Sequence, residues 1–506
     1  MNYHRYMILK RLVPVLFLAA TLISCAQKKT VEPKVQAAKT APNIVYILCD
    51  DLGYGDVQVL NPERGKIPTP NIDGLAREGM TFTDAHSGSS VCTPTRYGIL
   101  TGRYAWRSRL QEGVLAGGAE REPLIDKDRL TVPTLLKKQG YSTAIIGKWH
   151  LGFDFVDDSG KAVKLYDGKK ALLAPVGSTV PNGPISRGFD SYFGFHHSRV
   201  MKTVIQNDKV VDHMPEVEML PLLAKNTAEY IEEQSKKDAP FFLYLALNSP
   251  HSPVVPTAEW KGKSGMGPYA DFVMQTDDVV GQVIKALEKN GIANNTLVFF
   301  TSDNGCSYPA AKGKQLEEQG HFPSAQFRGS KSDIWEGGHR IPFIVKWPGK
   351  VPPNSENDEL VCLTSLMATV AEITGAEIPD TAGEDSFNIL PLLTDATAST
   401  NHDVVVHHSI HGKFSIRKGK WKLELNPGSG GWSNIKDPKA RKMGMPEVQL
   451  YDMMADEEEQ HNVHDKYPEL VKELTDELVA VVNKGRSTQG EAQSNDVSID
   501  IYKTDR

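Results

Sequence analysis

The segment Asn43-Ile44-Val45-Tyr46-Ile47-Leu48-Cys49-Asp50-Asp51, residues 43–51, begins as an unbroken apolar run and ends in two carboxylates. A run that does not alternate has no solvent face, so Asn43–Leu48 reads as a buried parallel strand. Thr143–Ile146, Phe241–Leu247, Leu297–Phe300 and Ile341–Lys346 repeat the pattern. Helical patterns lie between them. Thr131 can cap a helix that has Pro133 in its first turn and stops at Gly140. Tyr269–Lys289 carries Phe272, Thr276, Val279, Val283 and Leu287 on one face, with Gly291 just past its end. Strands alternating with helices predict an α/β fold: a large, doubly wound, mostly parallel sheet domain flanked by helices.

After Leu393 the pattern changes. Val404–Val406, Phe414–Arg417, Trp421–Leu425 and Val448–Tyr451 read as short strands between Gly or Pro turns. Pro468–Lys484 reads as an amphipathic helix carrying Leu470, Leu474 and Leu478 and ended by Gly485. Together they predict a smaller C-terminal antiparallel α+β subdomain over 396–488, after a large domain over 42–395. Residues 489–506 read as a loose polar tail.

The chain has 506 residues and an ordinary globular composition, 40% hydrophobic and 24% charged. A formal net charge of −6 gives no chain-wide footprint for nucleic acid or an anionic membrane surface. At the N-terminus, Arg5, Lys10 and Arg11 precede the apolar run Leu12–Ile23, a signal-peptide pattern too short to span a bilayer. Leu22-Ile23-Ser24-Cys25 resembles the bacterial lipobox, which implies a lipoprotein signal peptide over 1–24 and lipidation of Cys25. The alternative is an ordinary secretion signal whose Cys25 is discarded. Residues 25–41 read as a polar tether. The expected protein is exported and lipid-anchored in the bacterial envelope, and meets the membrane only through its anchor. The other four cysteines, Cys49, Cys92, Cys306 and Cys362, are scattered, with neither a disulfide framework nor zinc spacing.

The reactive side chains stand where the strands stop. The first strand ends at Asp50-Asp51 and the fourth at Asp303-Asn304; the second runs into Lys148 and His150, the third into His251. Ligands of open parallel sheets bind outside the carboxyl ends of the strands. Asp50, Asp51, Asp303 and Asn304 offer only oxygen, which suits Ca²⁺ or Mg²⁺ rather than zinc.

Ser90-Val91-Cys92-Thr93-Pro94-Thr95-Arg96, continued by Tyr97-Gly98-Ile99-Leu100-Thr101-Gly102-Arg103, resembles the signature of the type I sulfatases of the alkaline-phosphatase superfamily. The likeness runs on through Gly147-Lys148-Trp149-His150, Ser249-Pro250-His251, Ser302-Asp303-Asn304-Gly305, Gly329-Ser330-Lys331 and Gln449-Leu450-Tyr451-Asp452. It implies that Cys92 is oxidised to formylglycine by a formylglycine-generating or anaerobic sulfatase-maturing enzyme. The hydrated aldehyde is then the nucleophile and expels sulfate by collapsing, so no water need attack sulfur. The resemblance further implies that Pro94 and Arg96 belong to the maturation signal and that Arg96 braces residue 92. Asp50, Asp51, Asp303 and Asn304 would ligate Ca²⁺ (or Mg²⁺) together with residue 92. Lys148 and Lys331 would hold sulfate oxygens, His150 would take the gem-diol proton, and His251 would protonate the departing alcohol.

Specificity is expected in the loops over the strand ends and in the C-terminal subdomain, with His196, His197, Arg199, His339, Arg340, His408 and His411 as candidate contacts. Tyr104–Leu115, with Trp106, Arg107 and Arg109, is similar to sulfatases that act on sulfated glycans. By that likeness the expected substrate is a 6-O-sulfated galactose or N-acetylgalactosamine, the alternatives being a broad arylsulfatase or another sugar position. Two further classes are distinguishable. A phosphatase or phosphodiesterase of the superfamily would carry Ser or Thr where Cys92 stands. A non-catalytic glycan-binding surface lipoprotein would have lost a nucleophile or a metal ligand.

Overall fold

Asn43–Asp50 lies near the middle of a ten-stranded sheet in the computed structural model, which describes residues 41–115, 122–167, 170–400 and 404–503. Both faces of this strand are buried. Ile44, Tyr46 and Leu48 enter one apolar core, while Val45, Ile47 and Cys49 enter the other. Residues Pro70–Arg77, Glu216–Ser235 and Pro268–Lys289 form helices that close the Val45 side. Cys92–Thr101, Val132–Lys138 and Leu366–Thr374 form helices that close the Ile44 side. Each buried aliphatic or aromatic side chain contributes roughly 1.5–3 kcal/mol, which accounts for the absence of polar interruptions in the strand. Thr131 caps its helix as expected, its hydroxyl accepting the Thr134 N–H.

The sheet runs Ser355–Asn357, Met80–Phe82, Phe343–Lys346, Thr296–Ser302, Asn43–Asp50, Phe241–Pro250, Ser142–Lys148, Ser191–Phe195, Thr203–Gln206, Lys209–His213. The stretch from Thr296–Ser302 to Ser191–Phe195 is parallel throughout, so the carboxyl ends of its strands share one edge. Two expectations are corrected here. The fifth anticipated parallel strand begins at Phe343 and runs antiparallel to Thr296–Ser302. Between them the chain stays among loops and short helices at the carboxyl edge, and re-enters the sheet from the end it left. The fifth parallel strand is instead Ser191–Phe195, whose sequence did not announce it.

Val404–His408, Phe414–Lys418, Trp421–Glu424 and Gln449–Asp452 form a four-stranded antiparallel sheet in that order. The helix Pro468–Lys484 lays Leu474, Leu478, Val481 and Val482 against it, and Tyr104 and Trp106 of the large part complete this third core.

The polar C-terminal segment is not loose as far as it is described, to residue 503. Arg103 Nη2 donates to Asp496 Oδ1 at 2.9 Å, Arg107 Nη1 donates to Asn495 Oδ1 at 3.0 Å, and Ile501 enters the third core. The buried guanidinium groups of Arg103 and Arg107 need acceptors, and the tail supplies them. Trp106 and Arg107 are fully buried, so the Tyr104–Leu115 segment anchors the fold here rather than offering these two side chains to a ligand. The anticipated signal peptide, Cys25 and most of the tether lie outside the described residues. Among the described residues no helix is long and apolar enough to cross a membrane.

Arg107 donates to both oxygens of Asp385 at 2.8 Å. Arg107→Met leaves that carboxylate buried without its cation, and is expected to cost about 3–5 kcal/mol in denaturant unfolding. Adding Asp385→Leu should recover much of the loss; a single variant within 1 kcal/mol of wild type would contradict the anchoring role.

Candidate active site

Asp50 ends its strand and the backbone turns sharply at Asp51, which has a φ of 66°. On the neighbouring parallel strand, Thr296–Ser302, the register pairs Cys49 with Ser302, which sets Asp303 and Asn304 beside that aspartate pair. The strand Ser142–Lys148 brings Lys148 to the same edge after Gly147, whose φ is 117°. A Cβ at Gly147 would lie 1.8 Å from the Ala246 carbonyl oxygen, so only glycine allows this approach. His150 follows at φ 58°, and His251 follows the strand Phe241–Pro250. Non-glycine residues in left-handed backbone collect where a site imposes geometry. Cys92 enters from outside the sheet as the first residue of the helix Cys92–Thr101, so free N–H groups of that helix end surround it.

These groups converge. Lys148 Nζ donates to Asp50 Oδ2 at 2.6 Å, and Lys331 Nζ donates to Asp51 Oδ1 at 2.5 Å. Lys331 Nζ also lies 3.6 Å from Cys92 Sγ. Arg96 donates from Nε and Nη2 to Asp303 Oδ2 at 3.0 and 2.7 Å, and Asn304 Nδ2 donates to Asp51 Oδ1 at 2.8 Å. His251 Nε2 stands 3.6 Å from Asp51 Oδ2. A cavity of about 610 Å³ opens onto Asp51, Cys92, Lys148, His150, His251 and Lys331.

The electrostatics are those of crowded, buried carboxylates beside buried cations. Burial alone would raise the Asp50 carboxyl, but His251, Lys148, Arg96 and Lys331 outweigh it and hold the group well below its usual range. Asp303 is pushed up to about 6 by burial and by Asp50 and Asp51, against Arg96 and Lys148. Asp50 Oδ1 and Asn304 Oδ1 are buried without a hydrogen-bond partner. Asp50, Asp51, Cys92 and His251 offer ligand atoms within 4.8 Å of one another. Orphaned oxygens beside crowded carboxylates fit a hard divalent cation, which would lower the repulsion and occupy the lone pairs.

The titratable groups differ in state. Burial pushes the Cys92 thiol up to about 11, aided by Asp303 and Asp50 against Lys148 and Lys331, so it stands as a thiol, not a reactive thiolate. Burial, with Lys148 and His197, drives His150 far below the usual histidine range. Its Nε2 lies 3.0 Å from the Leu115 carbonyl oxygen, which assigns the proton to Nε2. Nδ1 then keeps a lone pair with no hydrogen-bond partner. His251 also lies below the usual range through burial, but Asp50 and Asp51 pull against it, and its side chain is 19% exposed.

Of the candidate substrate contacts, only His197 and Arg199 line the cavity. His196 is buried behind it, its ring 4.4 Å from that of Phe153. His339 lies elsewhere, with Nδ1 3.0 Å from His86 Nδ1 and its ring stacked 3.8 Å from that of His407. Arg340 pairs there with Asp84 and Glu336. His408 is buried in its strand, and His411 is exposed at the following turn outside the cavity lining. A histidine's sequence neighbours do not tell which face of a short strand it takes. Conversely, Val114, Ser252, Ser307, Ile410 and Trp432 line the cavity and were not singled out. Trp432 had one signal, a lone aromatic following Pro427-Gly428-Ser429-Gly430-Gly431.

Residues 42–376 match the model of a family described as Sulfatase. The chain is 32% identical over 518 residues to an N-acetylgalactosamine-6-O-sulfatase of Bacteroides thetaiotaomicron, covering 93% of this chain and 98% of that protein. It is 29% identical over 415 residues to an N-acetylgalactosamine-6-sulfatase of Rattus norvegicus, covering 79% and 74%. A solved structure from work on the metabolism of multiple glycosaminoglycans by Bacteroides thetaiotaomicron superposes with a TM-score of 0.75 at 27% identity, covering 87% and 99%.

Calcium added to chelator-treated protein is expected to raise the melting temperature, with about 2.7 kcal/mol of stabilisation at a hundredfold excess over Kd. Asp50→Asn should shrink that rise. An unchanged wild-type melting curve would mean that the cluster holds no such ion.

Proposed function

The chain belongs to the sulfatase family and hydrolyses sulfate esters, and from that premise we propose that it removes 6-O-sulfate from galactose or N-acetylgalactosamine in sulfated glycans. The observation that carries the site assignment is Cys92 Sγ 3.6 Å from Lys331 Nζ, in a cavity also lined by Lys148, His150 and His251. The substrate assignment draws support from the likeness, over nearly the whole chain, to a protein named N-acetylgalactosamine-6-O-sulfatase.

Residue 92, once oxidised to formylglycine by a maturation enzyme and hydrated, supplies an oxygen nucleophile that passes sulfate on by collapse to the aldehyde. Asp50, Asp51, Asp303 and Asn304 would hold a Ca²⁺ ion, which when bound would polarise the ester oxygens. The remaining work belongs to side chains. Lys148 and Lys331, each pinned to an aspartate, aim positive charge into the cavity where sulfate oxygens gain charge. His150 Nδ1 accepts the proton that residue 92 gives up. His251, on the cavity wall, gives its proton to the alcohol oxygen as the S–O bond breaks. Arg96, locked on Asp303, positions the acidic cluster beneath residue 92. The lipobox-like Leu22–Cys25 supports an exported enzyme tethered by lipid at Cys25 in the bacterial envelope.

Fully matured protein, run beside Cys92→Ala on sulfated mono- and disaccharides differing in ester position and sugar, tests the reading. Release from 6-sulfated galactose or N-acetylgalactosamine, absent in the variant, is expected. Release confined to aryl sulfates or to another position would overturn the substrate assignment, and undiminished turnover by Cys92→Ala would overturn the nucleophile. His251→Ala should lower kcat on a sugar sulfate by about 10²–10⁴-fold. The loss should be much smaller on 4-nitrophenyl sulfate, whose leaving group needs no proton; equal losses on both would contradict the general-acid role.

A further inference from the structure

Trp432 is 42% exposed, and among the described residues it is the one exposed large hydrophobic side chain that lines the catalytic cavity. Leaving an indole in water forgoes the stabilisation that its burial would give, so an exposed one inside a binding cavity calls for a ligand. The chain holds it there with care. Trp432 N–H donates to Ser332 Oγ at 3.0 Å, Ser433 N–H donates to Asp333 Oδ1 at 3.0 Å, and the Ile334 N–H donates to Ser429 O at 2.8 Å. Gly431 lies flat on this segment, where a Cβ would stand 2.4 Å from the Ser332 carbonyl oxygen.

Ser332 is the hub. Its N–H donates to Ser90 O at 2.9 Å, two residues before Cys92, and its carbonyl accepts the Ile410 N–H at 3.0 Å. It takes a φ of 86°, which lets it face all three segments at once. Ser332 also follows Lys331 directly. The indole, the sulfate-holding ammonium and the nucleophile segment are therefore indexed to one another through a single residue. Ile410, Val114 and Leu115 add further apolar surface to the same cavity, and His197 and Arg199 add polar groups.

A ligand fitting this wall carries an anion at one end and an apolar face with polar edges at the other. Resting on the proposed reading as a sugar sulfatase, we propose that Trp432 is the stacking platform for a galacto-configured sulfated pyranose. In the galacto ring the axial O4 leaves the opposite face an unbroken patch of C–H groups, a better partner for an indole than the gluco ring with its equatorial O4. Trp432 thus selects the sugar, while Lys331 and Lys148 hold the ester.

The test uses Cys92→Ala protein, so that binding is read without turnover or maturation. Calorimetry with galactose 6-sulfate, glucose 6-sulfate and inorganic sulfate is compared before and after adding Trp432→Ala or Trp432→Phe. Trp432→Ala should weaken galactose 6-sulfate roughly 10–100-fold, as loss of one stacking aromatic does elsewhere. Trp432→Phe should restore part of the affinity, and inorganic sulfate should bind unchanged. An effect under twofold, or equal weakening of all three ligands, overturns the platform, the latter outcome assigning Trp432 to the support of Lys331. Loss confined to glucose 6-sulfate overturns the galacto preference. Strong Trp432 dependence alongside a failed desulfation panel would leave the platform standing and sink the assigned reaction, so the two failures are distinguishable.

Discussion

Three aspartates buried at one edge of a sheet are the constraint to which the rest of this molecule answers. Asp50, Asp51 and Asp303 are buried, Asp51 at the floor of the cavity, and two carboxylates about 4 Å apart repel by roughly 4 kcal/mol even at an effective dielectric of 20. The parallel register that pairs Cys49 with Ser302 makes the crowding unavoidable. Arg96, Lys148 and Lys331 are buried because they answer it, each within hydrogen-bond reach of one aspartate. Even so, Asp50 Oδ1 and Asn304 Oδ1 stay without a hydrogen-bond partner, and Asp303 is pushed up to about 6. In formal charge the three carboxylates are matched by Arg96, Lys148 and Lys331, and what stays unmet is hydrogen bonding at two buried oxygens. The place left over suits a divalent ion and an oxyanion.

The central strands were legible because unbroken apolar runs such as Asn43–Leu48 arise only where both faces are covered. The chemistry was legible because Asp50, Lys148, His251 and Asp303 each follow such a run. Direction was not legible: Phe343–Lys346 has a parallel strand's composition, and its antiparallel sense comes from a connection that never crosses the sheet. Ser191–Phe195 was hidden by Gly194, which a strand reading penalises. That glycine is needed because a Cβ there would lie 2.0 Å from the Gly147 carbonyl oxygen. The ordered tail was invisible because the demand it meets, acceptors for the Arg103 and Arg107 side chains, arises only after folding. His339 and His408 were read as site groups because histidine suits one, yet both point into packed structure.

Where His339 points tells what the small sheet does. Between the two sheets lies a buried polar seam that includes His86, His339 and His407 together with Asp84, Glu336, Arg340, Arg417, Lys422, Glu424 and Glu459. Burial, with Glu459 beside it and Lys422 pulling against it, drives the Glu424 carboxyl well above its usual range. Arg340, Arg417 and Lys422 face Asp84, Glu336, Glu424 and Glu459 there. Apolar surfaces tolerate sliding, but a buried network of directional pairs has one register. Lys422 bonds Ile334 O and Glu459 from the strand Trp421–Glu424, just before the loop that carries Trp432. The seam therefore fixes the small sheet's loop over the strand ends of the large one, and the cavity wall inherits that rigidity.

Within the cavity, two imidazoles meet opposite neighbouring charge. His150 sits among Lys148, Arg96, His196 and His197, whose charges all disfavour a second proton, and the Leu115 carbonyl holds its single proton on Nε2. His251 sits across the cavity beside Asp50 and Asp51, whose charges favour the protonated ring. Neighbouring charge thus pushes the two proton affinities apart, the pattern that separates acid from base within one site. In the proposed reaction the proton of residue 92 would pass to His150, and the alcohol would take its proton from His251. The contrast between the two rings comes from how closely lysine or aspartate stands at the strand ends beside each.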